Sequence, residues 1–241
     1  MSSSDIRNSI LSGADISKAV GEKVSYYIKD HLLYNRGDYD KDLFNDIQEK
    51  LQKRLKNSRY QHTLGVMNTA GSLAMKYDYP VDKAMLAGLL HDCAKGMTED
   101  EQIEYCNKHD IALTESELSS PQLIHAKLGS YLCRNKYNVD DKDICHAIQV
   151  HTTGCPEMNL LDKILYIADY IEPNRMNLPR LFEIRQSAFE DPDRTLIMIL
   201  HDTVAYLDRR NMPADPKTKE TYEYYKKYMI KQGKDISLII D

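Results

Sequence analysis

Six residues of this chain could together hold metal: His62, His91, Asp92, His125, His151 and Asp169. His91 and Asp92 are adjacent in Ala87-Gly-Leu-Leu-His-Asp-Cys-Ala-Lys95. An imidazole and a carboxylate are costly to bury in such apolar company, and a divalent cation satisfies both. Taken alone, the dipeptide reads more simply as a hydrogen-bonded pair at a helix end. His201-Asp202 has that simpler reading, because no partners cluster near it in sequence. For His91-Asp92 the other four positions change the balance. His62 lies early in a helical stretch, in Ser58-Arg-Tyr-Gln-His-Thr-Leu-Gly65, and His125 lies in Leu123-Ile-His-Ala-Lys-Leu-Gly129. His151 follows Ile144, Ala147 and Ile148 at i+7, on the apolar face of its helix. Asp169 falls four residues after Leu165 and eight after Leu161, so it too faces inward. A lone buried carboxylate is expensive. Inward imidazoles and carboxylates on several apolar helices fit a metal site in a helix bundle.

The elements that must position these residues read as helices almost throughout. Glycine and proline are few, at 10 and 8, and runs of alternating β-branched residues are missing. Residues 1–14 read as a loose lead-in. Val20, Val24, Tyr27, Ile28 and Leu32 then recur at helical spacing. The polar stretch from Asn35 to Asp42 marks a boundary, giving an N-terminal helical appendage over residues 1–45. Helices follow with short joints across a main domain over 46–220. Leu64, Met67, Gly71, Ala74 and Met75 mark one helical face, and Ala84 to Ala94 reads as a short buried helix. Thr98 with Glu101 forms a capping-box pattern. Ile124–Asn135, Asp141–His151 and Met158–Ile171 are amphipathic, the last stopped by Pro173. Asp191-Pro192 opens a long helix to Arg210. Pro213 and Pro216 precede a helix over Thr218–Lys231, and residues 221–241 form a tyrosine-rich C-terminal helix and tail.

Composition narrows the function. Hydrophobic residues make up 42% and charged residues 29%, as in globular proteins. Mean hydropathy is −0.56, and no apolar run approaches the ~20 residues that span a bilayer. The N-terminus lacks the apolar core of a signal peptide, so a cytoplasmic protein is expected. A net charge of −5 argues against a general nucleic-acid binder and leaves room for a local pocket that takes a phosphorylated small molecule. Cys93, Cys106, Cys133, Cys145 and Cys155 are odd in number and show no CxxC spacing, so they read as reduced, mostly buried residues rather than a disulfide or zinc framework.

The order His…His-Asp…His…His…Asp resembles the HD-domain phosphohydrolase superfamily. The strings Arg59-Tyr-Gln-His-Thr-Leu-Gly-Val66, Ala87-Gly-Leu-Leu-His-Asp-Cys-Ala-Lys95, His151-Thr-Thr-Gly154 and Ala168-Asp-Tyr-Ile-Glu-Pro-Asn-Arg175 look like the bacterial YqeK branch. Pro216-Lys-Thr218 is similar to that branch's C-terminal segment. The resemblance covers roughly residues 46–220 and leaves the first 45 residues and the tail without a counterpart. It implies an all-α HD-domain helical bundle around a dinuclear metal site. It also implies symmetrical hydrolysis of diadenosine tetraphosphate to two ADP. On the same resemblance, His62, His91, Asp92 and Asp169 hold one metal, and Asp92 bridges to a second held by His125 and His151. The resemblance favours iron, with manganese, cobalt or zinc as alternatives; mixed imidazole and carboxylate ligation suits such ions better than magnesium.

Polyphosphate hydrolysis needs an activated water and neutralised charge, which two close metals supply. Asp92 and Lys95 are therefore the expected catalytic groups, Lys95 as a clamp on phosphate charge. Arg175 is a candidate bidentate phosphate ligand, and Thr152 and Thr153 are candidate substrate contacts. Each has a plainer reading, as a surface lysine, a salt bridge or a helix cap. Two other functions stay open at this point: another HD nucleotide phosphohydrolase, such as a nucleotidase or guanosine tetraphosphate hydrolase, and a non-catalytic nucleotide sensor or scaffold. The N-terminal segment is expected to pack outside the main domain or to mediate homo-oligomerisation.

Overall fold

The computed structural model describes residues 2–11, 14–30, 41–212 and 214–240. Every regular element among these is helical. The N-terminal segment holds α1 (Ser3–Leu11), α2 (Ser17–Val20) and α3 (Glu22–Asp30). Ser3–Leu11 is thus helical and not part of a loose lead-in. The reason lies in Ser2 and Asp5: the Ser2 N–H donates to Asp5 Oδ2 at 2.7 Å, and the Asp5 N–H donates to Ser2 Oγ at 3.2 Å. This reciprocal cap starts a helix. Of the expected stripe, Ile28 is buried, whereas Val24 and Tyr27 are exposed. Leu32, His31 and most of the boundary stretch, Asn35 to Asp40, lie outside the described residues, as does Pro213.

The main body begins with α4 (Lys41–Arg54) and continues through α5 (Asn57–Lys76) and α6 (Val81–Leu90). Then come α7 (Glu99–Lys108), α8 (Glu115–Ser119), a single 3-10 turn over Pro121–Leu123, α9 (Ile124–Asn135), α10 (Lys142–Val150) and α11 (Leu160–Ile171). The chain finishes with α12 (Leu181–Ser187), α13 (Pro192–Arg209), α14 (Pro216–Lys231) and α15 (Ser237–Ile240). Local chemistry sets six of these starts. Thr98 with Glu101, Thr114 with Glu117 and Asn159 with Asp162 close capping boxes. Asp141, Asp191 and Asp215 cap α10, α13 and α14, the last two with proline in the first turn.

The core runs from Ile47 to Ile239. Its centre is α5, α6, α9, α10 and α11, packed on one another, with α13 against α11 and α14 against α13. Helices α5 and α6 approach so closely that a Cβ on Gly88 would lie 2.8 Å from Met67 Cα. Two expectations shift here. Met75 is exposed, while Met67, Gly71 and Ala74 are buried as expected and are joined on the buried side of α5 by Val66, Ala70 and Leu73. Helix α6 ends at Leu90, four residues earlier than expected, and the chain continues in tight turns closed by Cys93 N–H to Leu90 C=O and Lys95 N–H to Asp92 C=O.

The expected division at 220/221 falls inside α14. Tyr225, Met229, Ile236 and Ile239 belong to the same core as α5 and α11, and the Tyr225 hydroxyl accepts from the Met158 N–H at 3.0 Å. Cys93, Cys106, Cys133 and Cys145 are buried, and Cys155 is half-buried. No helix among the described residues is long and apolar enough to cross a membrane.

Candidate metal centre

Five of the six candidate residues stand at the end of a core helix or in the turn just beyond it, and His62 lies within one. His62 is in α5, His125 in the first turn of α9, and Asp169 in the last turn of α11. His91 and His151 cap the C-terminal ends of α6 and α10, and Asp92 follows in the turn after α6. A helix end leaves carbonyls without intrahelical partners. His91 Nδ1 donates to Gly88 O at 2.7 Å, and His151 Nδ1 donates to Ile148 O at 2.7 Å. His125 Nδ1 donates to Gln122 O, in the 3-10 turn before α9, at 2.6 Å. His62 lies inside α5, where nearby carbonyls are used by the helix itself. Its Nδ1 instead meets Glu172 Oε1 at 3.0 Å.

All four partners are oxygen acceptors, so each Nδ1 carries the proton and each Nε2 of a neutral ring presents a lone pair. Those lone pairs converge. His125 Nε2 is 3.2 Å from His151 Nε2 and 3.3 Å from Asp92 Oδ1. His91 Nε2 is 3.3 Å from Asp92 Oδ2, and His62 Nε2 is 3.0 Å from Asp169 Oδ1. His62 Nε2 and His91 Nε2 are buried and make no hydrogen bond. Three overlapping trios offer ligand atoms within 4.8 Å of one another: His62-His91-Asp92, His91-His151-Asp169 and Asp92-His125-His151. A cation satisfies lone pairs that face lone pairs and carboxylates in such a space, and the donor set of imidazole nitrogen and carboxylate oxygen fits transition-metal ions. The carboxylate of Asp92 serves both ends, Oδ2 facing His62 and His91 and Oδ1 facing His125 and His151.

The charge balance follows from these neighbours. Burial is the strongest influence on Asp92 and opposes ionisation. His91, His125 and His151 outweigh it and hold the carboxyl well below the usual range. Asp169 is lowered in the same way, burial opposing and His62, His91 and Arg175 prevailing. Burial pushes His125 down to about 3 and lowers His151, which also feels His91. His91 goes the other way: burial opposes its charge, but Asp92 and Asp169 raise it.

The remaining expected residues sit around this centre. Lys95 is half-buried, and its Nζ lies 3.4 Å from Gln122 O, the carbonyl that also holds His125. Burial lowers its pKa. Arg175 Nη2 donates to Asp169 Oδ1 at 2.7 Å and its Nε to the Asp169 carbonyl at 3.0 Å. Arg175 also lines a cavity of about 290 Å³ at the His62 end, with Ser58, Arg59, Glu172 and Asn174. Thr152 and Thr153 line a different cavity, of about 230 Å³, with Ala126, Lys127, Gln149 and Lys217. The Thr153 hydroxyl donates to Gly154 O at 3.1 Å. Gly154 has φ +66°, and a Cβ there would lie 2.7 Å from Thr221 Cγ2, so α14 closes over this loop.

Two contributors were not singled out from the sequence. Arg59 Nη1 donates to Asp92 Oδ2 at 2.9 Å, and Glu172 is 1% exposed behind His62. Both stand within the quoted strings, but only the fold reveals what they touch. His201 and Asp202 are remote in contact: Asp202 receives Arg180 Nη2 at 2.5 Å and lies 3.3 Å from its own neighbour His201.

Comparison with known proteins places this site among relatives. Residues 59–174 match the HD domain. The chain is 40% identical over 176 residues to the symmetrical bis(5'-nucleosyl)-tetraphosphatase of Bacillus subtilis, covering 72% of this chain and 92% of that protein. The protein of the same description from Halalkalibacterium halodurans is 39% identical over 176 residues, covering 71% of this chain and 91% of the relative. A crystal structure from Clostridium acetobutylicum, described as an HD superfamily hydrolase involved in NAD metabolism, superposes with a TM-score of 0.74. It is 37% identical, over 77% of this chain and 97% of that one.

Proposed function

The chain belongs to the YqeK-like symmetrical tetraphosphatases of the HD-domain family, and from that premise we propose how it hydrolyses diadenosine tetraphosphate to two ADP. One water adds its oxygen to a middle phosphorus, and the bridge to the other middle phosphate breaks. Each product then keeps two phosphates. The observation that carries the reading is the convergence of four Nε2 lone pairs on two carboxylates, with two of those nitrogens buried and unpartnered.

In this proposal His62, His91, Asp92 and Asp169 hold one divalent ion, and Asp92, His125 and His151 hold the other. Iron is the proposed metal, with manganese, cobalt or zinc able to replace it; the mixed donor set supports this choice over magnesium. Bound there, the ions activate water at neutral pH and offset charge developing on phosphate. The chain's own residues orient the substrate. Arg59 and Arg175 face one cavity at the His62 end, while Lys127, Thr152, Thr153 and Lys217 face the other beyond His125 and His151. Each cavity would receive one half of the substrate. Lys95 stands against phosphate charge beside His125. A cytoplasmic setting, nucleotide rather than nucleic acid as partner, and an N-terminal segment outside the catalytic body complete the proposal. The acidic net charge of −5 supports the second of these.

The test is turnover of diadenosine tetraphosphate by protein purified without oxygen and supplied with Fe²⁺, Mn²⁺, Co²⁺, Zn²⁺ or Mg²⁺. ADP alone is expected. Substantial AMP plus ATP would place the attack nearer one adenosine and overturn the symmetrical assignment.

A further inference from the structure

The four imidazoles are not backed alike. Three donate Nδ1 to backbone carbonyls three residues earlier, whereas His62 alone meets a carboxylate, Glu172 Oε1 at 3.0 Å. Glu172 is held as firmly as any ligand. Its Oε2 accepts from the Asn174 N–H at 2.7 Å and from Asn174 Nδ2 at 3.0 Å. Arg185, on α12, fixes the segment that carries it, donating to the carbonyls of Ile171, Glu172 and Arg175 at 2.9, 2.9 and 3.1 Å. Space for the carboxylate comes from Gly65 on α5. A Cβ at Gly65 would lie 2.3 Å from Glu172 Oε2.

Building on the metal reading proposed above, we infer that Glu172 is a positioning residue that fixes the His62 tautomer and makes the two ends of the metal centre unequal. Both Glu172 oxygens face donors, so only an acceptor at both positions satisfies them. The Nδ1 proton of His62 is thereby pinned, its Nε2 lone pair is kept free, and a carboxylate-backed imidazole is a better ligand than one backed by a neutral carbonyl. The end containing His62 and Asp169 is consequently the tighter one in the native chain, and it alone depends on Glu172. The end containing His125 and His151 relies on backbone carbonyls that no side-chain substitution removes.

Two variants test this on the full chain. Glu172→Gln replaces one acceptor with a donor, so it cannot serve both His62 and Asn174. Gly65→Ala changes no ligand and keeps Glu172 in the sequence, and it puts the better helix former in α5, but its methyl displaces the Glu172 carboxylate. Ring-nitrogen NMR of the metal-free protein reads the His62 tautomer, and calorimetric titration with Co²⁺ reads each metal. We expect the wild type to keep Nδ1 protonated and to bind two equivalents. Both variants should lose the fixed tautomer, keep one equivalent at wild-type affinity, and bind the other about 10–100-fold more weakly. Folded Gly65→Ala protein with the wild-type tautomer and both affinities intact would overturn the inference, and so would an equal loss at both ends. A wild-type chain that takes up no Co²⁺ would instead overturn the metal reading beneath it.

Discussion

At the scale of single residues, Asp92 has no substitute. Its two oxygens face different histidine pairs, and Arg59 also donates to one of them. Asp92→Ala should lose both metals and nearly all turnover, measured as bound metal per chain and ADP release. Asp202→Ala is the contrast. Asp202 is a buried partner of Arg180, and losing it leaves the guanidinium without its carboxylate, with only the Ile239 carbonyl and His201 beside it. A stability loss of about 1.5–3 kcal/mol in denaturant unfolding is expected, with metal content unchanged. The six central residues were legible in sequence because His151 and Asp169 fall on apolar helical faces, where polar side chains are costly, and because the His91-Asp92 pair and the order of the histidines resemble the HD-domain pattern. Glu172 was not legible. It lies 110 residues from His62, and no helical periodicity links the two.

At the scale of elements, the centre is as well placed as the contact between α5 and α6 is close. Gly88→Ala would set a methyl 2.8 Å from Met67 Cα and 3.0 Å from Met67 N. Backbone cannot yield as a side chain does, so α6 must move away and carry His91 with it. Overpacking of this kind costs about 1–3 kcal/mol. Gly88→Ala should therefore lower the unfolding midpoint and the metal occupancy together, whereas Gly65→Ala should alter metal binding with little change in the midpoint. Helix starts were readable because caps are local: Thr98 with Glu101 and Asp191 with Pro192 announce themselves within four residues. The early end of α6 was not. Cys93 and Ala94 continue the apolar pattern past it, and the turn that aims Asp92 is met by a tertiary partner, Arg59.

At the scale of the whole molecule, the two ends of the chain differ in consequence. Ile16 and Ile28 are buried apart from the main core, while Val24, Tyr26 and Tyr27 are exposed. Deleting residues 1–40 should lower the melting temperature or change the sedimenting mass. Turnover per folded molecule should stay within about threefold, a barrier change under about 0.7 kcal/mol. A metal-loaded truncation a hundredfold slower would place part of the active site in the appendage. Deleting residues 216–241 should instead abolish the cooperative unfolding transition. Tyr225, Met229, Ile236 and Ile239 would leave the core, each worth about 1.5–3 kcal/mol, against a total margin of about 5–15 kcal/mol. The tyrosine-rich tail gave no hint of this in sequence, because a tyrosine at the surface and one in the core look the same until its hydroxyl's partner is known.

The division of labour at Asp92 also bears on ancestry. Asp92 Oδ2 faces His62 and His91 and its Oδ1 faces His125 and His151, while His91 and His151 also share a trio with Asp169. A lineage could lose His125 and His151 one after the other and still retain His62, His91, Asp92 and Asp169 as a working set of ligands for one ion. The reverse path, losing the His62 end, would leave Glu172 buried without its imidazole, while Asp169 would keep Arg175. Decay of such a protein is therefore directional, and descendants with a single ion should be those that kept α5, α6 and α11 intact.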